Sequence, residues 1–437
     1  MNRRQFIQNT GLTSLGLALS NNVFSAERKI KIAVLGTGWF GSDLLLPNAL
    51  ASGKFEIVAL CDVNQKAFQK SLDVLQKAGL PKPVIFSDYK KMYEMPDLEA
   101  VIIASRTHWH ALQFIDACKK GLHVFLEKPV SFDIAESKAM MTAHQKAGNV
   151  VVVDFERVQF GINEQIKAYI DSGAAGTIRQ VLVNLHNPEG SVVEKPVPNH
   201  IDFEAFCGPA PKQKFLCNPD SDTPNWRANY AFGHGTMIDW GSHYLHNARK
   251  LMGLGLPDSV MATGGNLKNI GQEQPDYMDV HFKYGNLPVQ YSQRAWGYQS
   301  LNPDTNIGVW YMGEKATIFE GEFGWEVYPE GGKPKINHGE IGFKPWTEEF
   351  NVKMNDGIKK QFVELYDGIM AKSNKNISAP LSDAIQTNTA MIMADLAYRT
   401  GMGIVTKESL NPKSNTMATQ LLKREYRAGY KHPSENI

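Results

Sequence analysis

Cysteine is scarce in this chain, and neither sign of charge prevails. Its 437 residues include four cysteines and carry a formal net charge of +1. Four cysteines are too few for a disulfide framework in a chain of this length. Balanced charge argues against a nucleic-acid partner, because phosphate binding needs clustered Lys and Arg without acidic compensation. Cys61 and Cys118 fall in apolar patterns and are expected to be buried thiols, whereas Cys207 and Cys217 flank a Pro-rich loop and either stay reduced or form a bridge.

Internal repeats, low-complexity tracts and long apolar runs are also missing beyond the N-terminus. With 43% hydrophobic residues, the chain is expected to be soluble and globular, with enough material for two cores. We therefore expect no stable membrane anchor.

The N-terminus has the three parts of an export signal in the usual order. Arg3 and Arg4 form a pair, an apolar stretch follows at 11–18, and small residues appear at 23–26. We expect residues 1–26 to be a signal segment of the twin-arginine type and the mature protein to be periplasmic. The alternative is an ordinary cytoplasmic N-terminus.

Short apolar runs alternate with helical patterns through the first half of the remaining chain. This alternation predicts an α/β fold that begins with a doubly wound parallel sheet of the Rossmann type. The strand patterns are at 30–35, 55–60, 84–86, 101–104, 124–126 and 150–153. We place a nucleotide-binding domain at 27–153, a second domain at 154–405 and a C-terminal extension at 406–437.

The first strand is followed by a glycine-rich turn that opens a helix, Gly36-Thr37-Gly38-Trp39-Phe40-Gly41. Glycines in this context provide a tight turn, close approach of the backbone to a pyrophosphate, and close packing of helix on strand. Asp62 ends the second strand, where a carboxylate can accept hydrogen bonds from a ribose 2'-hydroxyl and repel a 2'-phosphate. The sequence therefore predicts bound NAD and disfavours NADP.

Two further strands also end in polar residues. The fourth leads into Ser105, His108 and His110, at the edge of the sheet where ligands of doubly wound folds bind. For each histidine the alternative is a helix-capping or surface position, and because no metal-ligand spacing is completed nearby we expect no metal. The fifth strand delivers Glu127 and Lys128, and the proline that follows favours an extended backbone at the lysine. We expect all of these residues to face the cofactor cleft.

A family resemblance becomes visible when a later motif, Asp239-Trp240-Gly241-Ser242-His243, is added to the glycine turn, the strand-end acid and the triplet Glu127-Lys128-Pro129. Over about residues 30–401 the chain resembles the Gfo/Idh/MocA oxidoreductases. The resemblance implies a second α/β domain with a large open, mostly antiparallel sheet, whose outer face often mediates assembly, so we expect a homo-oligomer. It also implies hydride transfer between NAD(P) and a carbohydrate or polyol hydroxyl.

The same resemblance implies roles for three residues. Asp239 and His243 lie four residues apart and share one face of a helix. His243 would accept the proton of the substrate hydroxyl, while Asp239 and Lys128 orient and polarise that hydroxyl. The alternatives are a structural cap for Asp239 and a core position for His243.

Four other residues are candidates for substrate binding. Trp226 can stack on a pyranose face and Arg227 can bind a carboxylate or sulfate, although packing and rim positions are the alternatives. His234 stands where the family often has glycine, and it either adds a polar group or crowds the pocket. Arg157 lies just past the domain boundary and is the fourth candidate.

Export and cofactor use together limit the possible functions. Free nicotinamide cofactor is expected to be scarce outside the cytoplasm, so an exported chain would carry its NAD. That favours, as an alternative, a redox-neutral enzyme that uses tightly bound NAD to cleave a glycoside. Retention of Lys128, Asp239 and His243 favours a plain dehydrogenase, and a non-catalytic sugar-binding protein is the third hypothesis.

Overall fold

In this computed structural model, the described residues are 28–186, 190–268, 270–297, 302, 305–329, 336–339, 341, 348–401, 403–411 and 417–435. The predicted signal segment, residues 1–26, lies outside them. Within the described part of the chain, no helix is both long enough and apolar enough to cross a membrane.

The first domain is built on six parallel strands, as predicted. Their order is β3-β2-β1-β4-β5-β6. Almost every residue of β1, β4, β5 and β6 is buried, which fits a parallel sheet covered on both faces. The strands are β1 Ile30–Leu35, β2 Phe55–Cys61, β3 Val84–Phe86, β4 Ala100–Ile103, β5 His123–Leu126 and β6 Val151–Val153. Chain order reverses between β1 and β4, and ligands of such sheets bind in the crevice that this reversal opens.

The second domain is a nine-stranded sheet in the order β16-β15-β14-β13-β7-β12-β11-β10-β17. Among the described strands of this sheet, only the β7–β12 pair is parallel, so the predicted large, mostly antiparallel sheet is confirmed. The strands are β7 Ile178–His186, β10 Ser259–Gly265, β11 Tyr277–Tyr284, β12 Leu287–Arg294, β13 Ile307–Gly313, β14 Ala316–Glu320, β15 Trp325–Pro329, β16 Ile336–His338 and β17 Val405–Thr406. A separate hairpin pairs β8 Val193–Glu194 with β9 Leu216–Cys217.

The α-helices cover both sheets and connect them. In chain order they are α1 Leu46–Ala51, α2 Phe68–Lys77, α3 Tyr89–Met92, α4 Thr107–Lys119, α5 Ile134–Ala147, α6 Ile162–Asp171, α7 Phe203–Cys207, α8 Gly235–Met252, α9 Glu348–Ala371, α10 Leu381–Thr400 and α11 Met417–Gln420. Helix α5 begins where the Asp133 side chain accepts a hydrogen bond from the Glu136 N–H, and it ends at Gly148, whose φ of 63° is left-handed.

Helix α9 returns from the second half of the chain to cover the first sheet. Phe362 stacks on Phe125, with ring centroids 4.2 Å apart, and meets Phe55 edge to face. The predicted boundaries assign this segment to the second domain, but its apolar face completes the core of the first. Local periodicity identifies such a helix without saying which sheet it covers. All four cysteines are buried and free, so Cys207 and Cys217 form no bridge here.

Candidate active site

The glycine turn lies at the carboxyl end of β1, and its three glycines serve two different purposes. Gly36 has a φ of +97°, and a Cβ there would lie 2.5 Å from the Ala104 carbonyl carbon. A Cβ on Gly41 would lie 2.1 Å from the Gly36 oxygen. Beside Gly38, by contrast, the nearest atom to such a Cβ is an Arg106 nitrogen 3.7 Å away. Packing therefore requires Gly36 and Gly41, while Gly38 leaves space for a ligand to approach the backbone.

Asp62 is held at the end of β2 by the chain around it. One carboxylate oxygen accepts hydrogen bonds from the Thr37 N–H at 2.7 Å and the Thr37 hydroxyl at 3.3 Å, and the other accepts one from the Asn64 N–H at 2.8 Å. Burial raises the pKa of Asp62 above its ordinary value, although these donors and nearby Arg106 oppose the shift. The bonds fix the carboxylate at the wall of a cavity.

Two adjoining cavities run along this edge of the sheet. One, of about 610 Å³, is lined by Gly36 and Asp62 and is called the Asp62 cavity below. The other, of about 460 Å³, is lined by Lys128 and Asp239 and is called the Lys128 cavity. Gly38 borders both. A dinucleotide bound here would be held by Asp62 at its adenosine half, by the backbone at Gly38 at its pyrophosphate and by the region of Lys128 at its nicotinamide half.

The two domains meet at an ion pair in the wall of the Lys128 cavity. The Lys128 ammonium donates to Asp239 Oδ1 at 2.7 Å and to the Asp239 carbonyl oxygen at 3.1 Å. Arg227 Nε donates to Asp239 Oδ2. Burial opposes ionisation of Asp239, but Arg227 and Lys128 outweigh it and hold the pKa of this carboxyl below its ordinary value. Asp239 is therefore ionised at neutral pH, and it fixes Lys128 at the cavity wall.

His243 lies one helical turn beyond Asp239 on α8. The described residues that line the Lys128 cavity include Lys128 and Asp239 but not His243, whose side chain is 15% exposed. Its Nδ1 is 3.3 Å from Glu156 Oε2. Burial and the charge of Lys128 lower the pKa of His243 well below its ordinary value, so the ring is neutral at neutral pH and can accept a proton.

Three buried carboxyl groups surround this histidine and lysine. Burial raises the pKa of Glu127 to about 7 and that of Glu156 to about 8, and it raises the pKa of Asp154 well above its ordinary value. Sequence reasoning missed Asp154 and Glu156. They follow β6, at the same edge of the sheet as Glu127 after β5, and this position is the signal that points to them.

Part of the remaining wall of the Lys128 cavity is aromatic and basic. The guanidinium carbon of Arg227 lies 4.8 Å from the ring centroid of Trp226, and that of Arg106 lies 5.8 Å from it. A Cβ on Gly233 would come within 2.7 Å of the Trp226 ring, so this glycine allows the indole to pack. Arg106 borders both cavities and was not among the predicted site residues, although it directly follows Ser105. Burial and repulsion from Arg227 lower its pKa to about 10, which leaves it charged at neutral pH.

Two predicted substrate-binding residues are placed elsewhere. Arg157 is 3% exposed, and its guanidinium forms ion pairs with Glu320 at 2.9 Å and Glu322 at 2.8 Å. His234 has one ring nitrogen 2.9 Å from an Asp395 carboxylate oxygen and the other 2.8 Å from a backbone carbonyl oxygen. The expectation that Arg157 and His234 bind substrate is therefore corrected. Arg157 pairs with residues of the second domain, His234 bonds to both domains, and neither residue lines the Lys128 cavity.

The expectation that His108 and His110 face the cofactor is corrected as well. His108 Nε2 lies 2.8 Å from the Phe206 carbonyl oxygen, and the His110 ring nitrogens lie 2.8 Å from the Pro129 oxygen and 3.1 Å from the Ser105 oxygen. Burial lowers the pKa of His108 to about 3 and that of His110 to about 4. Both are neutral core residues, and His110 connects the end of β4 to the turn that carries Lys128.

The other predicted cofactor-binding residues lie at or beside the two cavities. Thr37 is buried and bonds to Asp62, and the rest line one or both cavities: Gly36, Gly38, Trp39, Phe40, Gly41, Asp62, Ser105, Glu127 and Lys128. A Rossmann domain with a dinucleotide-sized cleft, joined to a sheet domain by a lysine and an aspartate at the cleft wall, is the architecture of a nicotinamide-dependent oxidoreductase.

The chain belongs to the Gfo/Idh/MocA family. Residues 30–155 match the model of the oxidoreductase family's NAD-binding Rossmann fold, and residues 163–318 match that of a GFO/IDH/MocA C-terminal domain.

Several curated proteins are similar over part of their length. The uncharacterized oxidoreductase YrbE of Bacillus subtilis is 28% identical over 278 residues, which cover 62% of this chain and 70% of YrbE. A glycosyl hydrolase family 109 protein of Shewanella pealeana is 25% identical over 38% of this chain and 41% of its own. The inositol 2-dehydrogenase of Salmonella typhimurium is 29% identical over 44% of this chain and 56% of its own. The chain thus spans about half the length of the last two.

Solved structures share the fold. An oxidoreductase from Agrobacterium radiobacter in complex with NAD+, L-tartaric acid and magnesium superposes with a TM-score of 0.66 at 16% identity, covering 88% of this chain and 100% of the other. The aldose-aldose oxidoreductase of Caulobacter crescentus gives a TM-score of 0.63 at 18% identity, covering 87% of this chain and 100% of the other.

Proposed function

We propose that the protein interconverts a hydroxyl-bearing carbon of a carbohydrate or polyol and the corresponding carbonyl, with the hydride passing to NAD in oxidation and from NADH in reduction. The observation that carries this proposal is the Lys128–Asp239 pair, 2.7 Å apart, in the wall of a cavity that continues into the Asp62 cavity. The inositol dehydrogenase and aldose oxidoreductase relatives support the substrate class. Asp62 supports NAD over NADP, because its carboxylate would repel a 2'-phosphate.

NAD, when bound, supplies a hydride acceptor at its nicotinamide ring. Lys128 then has two tasks at the substrate hydroxyl: it positions the oxygen by a hydrogen bond and stabilises the negative charge that develops there. Asp239 holds the ammonium in place for both. His243 receives the hydroxyl proton, and because its Nδ1 faces Glu156, its Nε2 is the nitrogen left for this transfer.

Glu156 prepares His243 for that role. Once Glu156 has ionised, its carboxylate can accept a hydrogen bond from Nδ1–H, which leaves the lone pair on Nε2. Because burial raises the pKa of Glu156 to about 8, we expect hydroxyl oxidation to speed up as the pH rises through that value. Trp226 is only 8% exposed, so its ring packs in the protein, whereas Arg106 and Arg227 add positive charge suited to a phosphate or carboxylate.

We further propose that residues 1–26 direct the folded protein to the periplasm with NAD already bound, and that it is a homo-oligomer. The paired Arg3 and Arg4 support the first proposal. The second rests on the resemblance to the Gfo/Idh/MocA family, in which the outer face of the large sheet often mediates assembly. Fractionation of cells and light scattering of the purified protein test the two separately.

A redox-neutral glycoside-cleaving activity is the second candidate. The glycosyl hydrolase family 109 relatives favour it, as do the carboxyl groups of Glu127 and Glu156, whose raised pKa values keep protons available near neutrality. Such an enzyme would need no cofactor turnover after export.

One experiment separates the two candidates. The purified protein is denatured and its released NAD is measured, and the intact protein is then incubated with sugars, polyols and glycosides. Growth of the reduced-nicotinamide absorbance with a sugar or polyol supports the dehydrogenase. Glycoside cleavage with no net absorbance change would replace it by the second candidate.

The substitution His243→Ala tests the proposed general base in either chemistry. We expect the variant to keep its NAD but to lose turnover by about 10²- to 10⁴-fold, the usual contribution of a general base. Turnover at the wild-type rate would refute the role assigned to His243.

A further inference from the structure

The last described residues of the chain, 422–435, run back across the first domain and are called the tail. The Leu422 carbonyl oxygen accepts a hydrogen bond from the Ala135 N–H at 3.1 Å. Arg424 donates through Nε to Glu136 Oε1 at 2.9 Å and through Nη2 to the His108 carbonyl oxygen at 2.6 Å. These bonds fasten the start of the tail to helices α4 and α5.

A buried polar cluster holds the tail at its other end. His432 Nε2 lies 3.1 Å from Asp133 Oδ2, and the Tyr426 hydroxyl donates to Glu136 at 2.7 Å. Oxygen and nitrogen atoms of Asp133, Glu136 and His432 lie within 4.8 Å of one another, a spacing that can also suit a metal ion. The Arg424 guanidinium, 2.8 Å from Glu136, already supplies the compensating charge. The cluster therefore anchors the tail.

Between these anchors the tail also binds the second domain. The Arg427 N–H donates to the Pro209 carbonyl oxygen at 2.9 Å, and Arg427 Nε donates to that of Gly208 at 3.0 Å. Trp109 of α4 donates from its indole N–H to the Phe206 carbonyl oxygen at 3.1 Å. The tail and Trp109 thus join the first domain to the segment around α7, which forms the outer wall of the Asp62 cavity.

Tyr430 completes that wall. It lines the Asp62 cavity together with Trp109 and Phe206. The Tyr430 and Trp109 rings meet edge to face with centroids 5.6 Å apart. Gly208 allows this arrangement, because a Cβ there would lie 2.1 Å from the Trp109 ring. An aromatic wall therefore stands at the adenosine end of the cleft, contributed by a residue near the end of the chain.

We propose that the tail forms part of the dinucleotide site, with Tyr430 covering the adenosine half of the bound cofactor and slowing its release. The inference rests on the proposed function, since it takes the ligand of the Asp62 cavity to be a dinucleotide. Aromatic rings stack on nucleobases without regard to the base, and such contacts strengthen binding even where no hydrogen bond is made.

The test measures cofactor release from the full-length protein. Protein loaded with NAD is freed of excess NAD, diluted, and sampled over time, and the NAD still bound is released by denaturation and quantified by chromatography. Tyr430→Ala should release NAD on the order of ten times faster than wild type. Tyr430→Phe keeps the ring and should release NAD at the wild-type rate.

A second measurement uses the wild-type protein alone. Lys431 follows Tyr430 and is exposed, so trypsin cleavage there reports whether the tail is docked. We expect NAD-loaded protein to be cleaved at Lys431 more slowly than NAD-free protein. Equal cleavage rates, or wild-type NAD release from Tyr430→Ala, would overturn the inference while the proposed function stands. Failure of the wild-type protein to bind NAD at all would overturn both.

Discussion

Replacing Lys128 by methionine tests the site most directly. Methionine keeps much of the side-chain length but removes the ammonium group that lies 2.7 Å from Asp239 Oδ1. Loss of one preorganised donor to a developing oxyanion costs about 10²- to 10³-fold in turnover, or roughly 2.7–4 kcal/mol of transition-state stabilisation. Breaking a buried ion pair usually also costs about 3–5 kcal/mol of stability, but Arg227 remains bonded to Asp239, so the loss here should be smaller.

The pH profile gives a more specific prediction for the same variant. Lys128 lowers the pKa of both His243 and Glu156, so its removal should raise both. His243 and Glu156 would then stay protonated to higher pH. We therefore expect the acid limb of the kcat/KM profile for hydroxyl oxidation to move to higher pH in Lys128→Met.

The assay is the initial rate of nicotinamide reduction across the neutral and alkaline range, with bound NAD quantified in each preparation. Lys167→Met is the matched control, because Lys167 is exposed and pairs with Asp171 on the surface of α6. That surface pair should contribute at most about 1 kcal/mol of stability. An unshifted acid limb in Lys128→Met, or turnover equal to that of Lys167→Met, would refute the reasoning.

Three further substitutions probe single features. Asp62→Asn removes the charge that repels a 2'-phosphate, so the ratio of the NADP to the NAD dissociation constant should fall by on the order of tenfold, measured by titration calorimetry; an unchanged ratio contradicts this role. Glu156→Gln removes a group that ionises at a pKa of about 8, so the corresponding limb of the pH–rate profile should disappear while NAD stays bound. Arg157→Met leaves Glu320 and Glu322 without their partner and should cost about 3–5 kcal/mol in thermal unfolding, whereas a substrate-binding role would raise KM in a protein of unchanged stability.

The first domain could be predicted from the sequence because its signals are local. A strand buried on both faces is an apolar run, and the glycine turn follows the strand that it serves. The meeting of Lys128 with Asp239, 111 residues apart, was reached through family resemblance, since no local pattern joins the two positions.

The site predictions that the structure corrects share a physical cause: residues far away in the sequence determine which side chains are buried. His108 follows a strand at the ligand-binding edge, yet Phe206, 98 residues later, covers it. Arg157 lies beside the domain boundary, but its guanidinium forms ion pairs with Glu320 and Glu322, more than 160 residues later. Tyr430 reaches the cleft from the far end of the chain, so no local motif could have placed it there.

Two clusters of buried charged residues lie in the second domain and at its border. One is formed by Arg157 and its carboxylate partners, and the other by Glu127 and Glu156 beside Lys128. Arg157 lies between two carboxylates that bind it at 2.9 Å and 2.8 Å, a compensated arrangement that packing can account for. Glu127 and Glu156 are instead buried close to Lys128, with pKa values raised to about 7 and about 8. Burying titratable groups in this way costs stability, and groups with such perturbed pKa values cluster at functional sites. His243 lies 3.3 Å from one of these acids, which makes this border the place where the reaction is expected.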